Sequence, residues 1–134
     1  MEALKTDRRV SAFKTTDAYA VEAYRVASAF PPRAGAGLAE EIRRAAVAAG
    51  GAVVAASAYS DGGVEERAFL RRARRALFES RYYLHLARRF GWLDARRYRT
   101  LTLRQDAAVR ELDAVIDDSR TGPSPRPDSA TVES

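Results

Sequence analysis

The sequence predicts an all-α protein, an antiparallel up-and-down four-helix bundle followed by a disordered C-terminal tail. Apolar residues recur at helical spacing in four successive segments, and short Pro- or Gly-bearing breaks separate them. No run alternates in the two-residue period of a strand. The 134-residue length suits one domain with a single core, which no disulfide could staple because cysteine is absent.

Residues 1–14 are polar and charged, and they read as a lead-in strap in which only Phe13 looks anchored. The bundle is expected over 15–119. Its first helix should start after Thr15-Thr16-Asp17, whose side-chain oxygens can cap free amides. It should carry Ala20, Val21, Tyr24 and Ala27 to Phe30, where Pro31-Pro32 stops it. Leu38 opens the second helix, and Leu38, Ile42, Ala45, Ala46, Ala49, Val53 and Ala56 share one face.

Gly50-Gly51 interrupts that helix at a cost of about 1 kcal/mol per glycine. Close backbone approach to another helix, inside the bundle or across a subunit contact, would compensate, and Gly50, Gly51, Val53 and Val54 are the expected packing or oligomer residues. A kink is the competing reading. A phosphate-binding glycine loop is not, because neither a preceding strand nor a Gly-Lys-Ser/Thr pattern is present.

Ser60-Asp61-Gly62-Gly63 breaks the chain, and a third helix is expected from about Val64 to Phe90, ended by Gly91. Asp94 is a natural N-cap for the fourth, which carries Tyr98, Leu101, Leu103, Ala108, Leu112, Val115 and Ile116 and fades near Ser119. Residues 120–134 hold Pro123, Pro125 and Pro127 with almost nothing to bury, the composition of a disordered segment.

Lys and Arg number 23 against 18 Asp and Glu, a net charge of +5, with a pI near 10.0. Only Lys5 and Lys14 are lysines. The arginine excess suits phosphate recognition, although a GC-rich genome yields the same bias. No ~20-residue apolar run could cross a membrane, and the start lacks a secretory pattern, so the expected location is the cytoplasm.

Arginine repeats every seven residues at Arg67, Arg74, Arg81 and Arg88, close to one line along the third helix. Arg71, Phe78 and His85 fall four residues after successive members, while Arg75 and Arg89 widen the stripe. Arg67, Arg71, Arg74, Arg75, Phe78, Arg81, His85, Arg88 and Arg89 are therefore the candidate nucleic-acid-binding residues. Other readings stand beside this one. The stripe is a solvated face; it pairs with acids such as Glu111, Asp113, Asp117 and Asp118; or Phe78 belongs to the core.

His85 is the only histidine, and no Glu-x-x-His or His-Glu-x-x-His spacing occurs. Neither a serine nor a threonine has a catalytic context, so the sequence predicts no enzyme, no catalytic residue, no metal and no cofactor. Tyr82-Tyr83 and Trp92 read as packing aromatics.

Ala18-Tyr19, Tyr24, Phe30-Pro31, Leu38, Ile42-Arg43-Arg44-Ala45-Ala46-Val47, Phe69-Leu70, Ala73, Glu79 and Leu84 to Gly91-Trp92-Leu93 form an ordered set over most of residues 12–118. With this set the chain resembles the bacterial four-helix bundle proteins first noticed as products of intervening sequences in large-subunit ribosomal RNA genes. It departs where that family usually carries an Asn-Ile-Ala-Glu-Gly-like stretch, which here is Ala52-Val53-Val54-Ala55-Ala56. Roles of that asparagine and glutamate are therefore not carried over.

The resemblance implies a ring-like homopentamer without enzymatic activity. A related branch, the accessory variability determinant of diversity-generating retroelements, implies a basic pentameric barrel that binds nucleic acid and a reverse transcriptase. The high pI is similar to that branch, the motifs to the intervening-sequence branch. The expected function is thus an oligomeric scaffold for nucleic acid, RNA before DNA, with a reverse transcriptase as a candidate partner. The alternative is a self-assembly or protein-interaction module that binds no nucleic acid.

Overall fold

The structure is a computed structural model and describes residues 2–121. Four helices, α1 (Glu2–Ser28), α2 (Ala36–Ala56), α3 (Val64–Arg89) and α4 (Ala95–Thr121), run in sequence, with a single 3-10 turn at Ser57–Tyr59. Each helix packs on its sequence neighbours, and α4 closes the ring against α1. That is the antiparallel up-and-down bundle, and the described residues contain no strand. Its core is drawn from all four helices around Tyr19, Ile42, Leu77, Leu84, Leu101 and Leu112, each fully buried.

The first helix corrects the sequence reading. It begins at Glu2, where a strap was expected, and Thr15-Thr16-Asp17 lies in its middle. Ala12, Thr16, Tyr19, Ala23, Val26 and Phe30 are buried at alternating three- and four-residue spacing, so one inward stripe runs through the supposed cap. Thr15 donates to the carbonyls of Ser11 and Ala12, satisfying its hydroxyl within the helix. Phe13, expected as the anchor, is largely exposed, and so are Val21 and Tyr24. At the other end α4 continues through Arg120 to Thr121. The rest of the expected disordered tail lies outside the described residues.

Local signals set the joints. Phe30 is buried, and Gly35 sits so near it that an added Cβ would come within 2.8 Å of the Phe30 Cβ, which lets α2 begin at Ala36, slightly before Leu38. After α3, Gly91 adopts a φ of +80°. The Gly91 amide donates to the Arg88 carbonyl and the Trp92 amide to that of Ala87, the paired bonds of a Schellman stop. Trp92 then folds back against Phe30, with ring centroids 5.8 Å apart. Asp94 caps α4 by accepting from the Arg97 amide at 2.7 Å.

At the opposite end, the α1 extension locks onto the α2–α3 turn. Glu66 is 1% exposed and accepts from Arg9 Nε at 2.7 Å, from Arg9 Nη2 at 3.1 Å and from the Gly62 amide at 2.9 Å. Arg8 also pairs with Asp118 on α4.

Gly50 and Gly51 have no atom within 4 Å of an added Cβ, so no helix of this bundle approaches them closely. Close packing inside the bundle is thereby excluded, and an outward contact is what remains of the expectation. Replacing both by alanine should stabilise the dilute protein by about 1–2 kcal/mol in a urea melt, because nothing inside the bundle resists the methyls. A lower mass in light scattering for the same variant would place a subunit contact there; lower stability at dilution would contradict the open packing.

Candidate nucleic-acid interface

The seven-residue arginine repeat on α3 splits into two kinds of environment. Arg74 Nε lies 2.7 Å from Asp113 Oδ1, and Arg81 Nη1 lies 2.6 Å from Asp106 Oδ1, both acids on α4. Arg67 donates to the carbonyls of Gly62 at 2.9 Å and Ser119 at 3.5 Å, fastening the α2–α3 turn to the end of α4. These three arginines line the seam between α3 and α4. Of the acids named from sequence, Asp113 pairs with this repeat; Asp106 was not foreseen.

The residues that face water lie one row over. Arg71, Arg75, Phe78, Tyr82, His85 and Arg89 follow three- and four-residue spacing and are all exposed. Phe78 is 46% and Tyr82 58% exposed, so neither is a core residue. The rings are held in place: the Arg74 guanidinium lies 4.9 Å from the Phe78 centroid, and Tyr82 stacks on His85 at 6.2 Å with an interplanar angle of 25°. Tyr82, read from sequence as a packing aromatic, belongs to this row instead.

No acid of α3 lies within the row, and none of its arginines forms an ion pair among the described residues. Arg88, the last member of the repeat, is likewise exposed without a pair. The result is a strip of charge and π-faces about five turns long, able to contact phosphates and stacked bases together. The stripe read from sequence, Arg67, Arg71, Arg74, Phe78, Arg81, His85 and Arg88, already alternates by three and four, and spacing alone does not say which of two adjacent rows meets solvent.

Across the bundle, α1 and α2 expose the apolar residues Val10, Phe13, Val21, Tyr24, Val47 and Val54. Between α1 and α2 lies a groove with a cavity of about 490 Å³ lined by Val10, Phe13, Val53, Val54 and Leu70, and with a second of about 340 Å³ at Val21, Tyr24 and Val47. Val53 is buried, whereas Val54 is 55% exposed beside exposed Gly51 and half-buried Gly50. Of the four packing residues expected from sequence, Val53 therefore serves this chain's own core, and Val54 and Gly51 face out. No helix among the described residues is long and apolar enough to cross a membrane.

Comparison with curated proteins and with solved structures finds no match. The family profile described as 23S rRNA-intervening sequence protein matches residues 8–114, from the Arg8 and Arg9 anchors of α1 almost to the end of α4. With the profile spanning all four helices, the chain belongs to the 23S rRNA-intervening sequence protein family.

Proposed function

We propose that this protein is a non-enzymatic, oligomeric RNA-binding scaffold of the cytoplasm, which contacts RNA through the exposed α3 row Arg71, Arg75, Phe78, Tyr82, His85 and Arg89. The observation that carries this reading is the row itself, four turns and more of guanidinium and ring without an acid inside it. Arginine forks suit phosphate oxygens, and exposed rings suit unpaired bases. The family's ribosomal RNA context supports RNA over DNA.

Self-assembly fits the same geometry. In the ring of four helices the α1–α2 groove lies across the bundle from the α3–α4 side. Copies meeting through exposed Val21, Tyr24, Val47 and Val54 would leave every basic row facing water.

The test is titration of the full chain against a mixed-sequence single-stranded RNA at several salt concentrations. Changing Arg71, Arg75 and Arg89 to Gln should weaken binding about tenfold or more and reduce the salt slope by about 2, at ~0.7 for each phosphate that is no longer engaged. Changing Arg67, Arg74 and Arg81 to Gln should mainly lower the melting temperature. No detectable RNA binding by the wild type at low salt, or equal affinity of the exposed-row variant, would overturn the proposal.

A further inference from the structure

The two ion pairs across the α3–α4 seam fix its register. From Arg74–Asp113 to Arg81–Asp106 the pairing advances seven residues along α3 and retreats seven along α4, as antiparallel helices require. If the same step continues to the Gly91 stop and the Asp94 cap, Arg88 comes opposite Arg99. Where the two earlier steps set an acid against an arginine, this one sets a second arginine. Both residues are exposed, and neither forms an ion pair among the described residues.

Two guanidiniums held abreast repel each other, and an acid at position 99 would continue the ladder. The arrangement therefore costs stability unless an anion bridges it. The end that holds these arginines is well fixed, by the Schellman bonds of Gly91 and Trp92 and by buried Leu93. The nearest acid in sequence, Asp94, is turned to the Arg97 amide. Arg96 and Arg97 belong elsewhere, lining a cavity of about 360 Å³ with Glu22 and Val26 of α1.

We infer that Arg88 and Arg99 form a two-sided clamp for one backbone phosphate of bound RNA, at the end of the α3 row where His85 and Arg89 also lie. A phosphodiester has two non-bridging oxygens, so each guanidinium can engage one. The inference rests on the RNA-binding reading above and adds Arg99, a residue of α4, to the site.

Arg99→Asp tests it, because this change removes the clamp and supplies the missing acid. Arg104→Asp is the control: it changes net charge equally at another exposed α4 position, about 140° around the helix. With the full chain and the same single-stranded RNA, Arg99→Asp should bind about tenfold more weakly than Arg104→Asp, with a salt slope lower by about 0.7 than the wild type's, for the one phosphate released. Its melting temperature should be unchanged or raised by about 1–3 °C.

Affinity of Arg99→Asp equal to that of Arg104→Asp would overturn the clamp while leaving the α3 row intact. A clear fall in its melting temperature would overturn the register. If the wild type binds no RNA, the functional reading itself fails, and the clamp with it.

Discussion

Arg9→Ala is expected to destabilise the bundle by about 3 kcal/mol. The Glu66 carboxylate is buried and takes both arms of the Arg9 guanidinium, with the Gly62 amide as a further donor. Removing the arginine leaves a charge in the interior with one amide to compensate it, and burial of an uncompensated charge is what makes such truncations severe. Lysine at position 9 should recover little, since a point charge cannot reproduce the two-armed contact. Arg9→Met combined with Glu66→Leu should return to within about 1–2 kcal/mol of the wild type, because it removes both charges together. Urea midpoints for the three variants measure this, and a double variant as weak as Arg9→Ala would show that the pair is not the cause.

That pair also explains why α1 was only half legible. Its inward stripe is marked by Ala12, Thr16 and Tyr19, with Arg9 continuing the same spacing toward Glu66. A hydrophobic pattern cannot show a stripe whose members are a small residue, a threonine and an arginine. Thr15, Thr16 and Asp17 therefore resemble a helix start, although the helix passes through them. The other boundaries were readable because each depends on a local chemical rule: proline after Phe30, a left-handed glycine at Gly91, a carboxylate cap at Asp94.

The candidate site was legible as a helix and not as a face. A seven-residue repeat marks one line along a helix, but the repeat alone does not say whether that line meets solvent or a neighbouring helix. Here it runs along the α4 seam, and Arg74 and Arg81 meet Asp113 and Asp106 there. The adjacent row, with the same period, is the one that remains exposed. Arg99 could not be found from α3 alone, because its meaning depends on register against a second helix. The same limit hid the outward orientation of Gly51, which sequence could not distinguish from tight packing inside the bundle.

Between pH 10 and 12 the protein should lose about 2–3 kcal/mol of stability through Tyr19 alone. This side chain is fully buried, and its hydroxyl meets Ser80 Oγ at 2.5 Å. Burial pushes the phenol up to about 12 from its ordinary value of 10.0, against smaller opposing effects of the Ser80 hydrogen bond and the Arg81 charge. The folded state thus holds this proton more tightly than the unfolded chain does. Its contribution is complete below pH 10 and declines as pH rises toward 12, at up to about 1.4 kcal/mol per pH unit. Tyr19→Phe should cost about 1 kcal/mol at neutral pH, where only the hydrogen bond is removed and Ser80 still donates to the Leu77 carbonyl. The two stability curves should then cross near pH 11, with phenylalanine the more stable above it. Urea melts of both proteins from neutral pH to about pH 12 provide the measurement, and parallel curves would mean that the Tyr19 proton is not linked to folding.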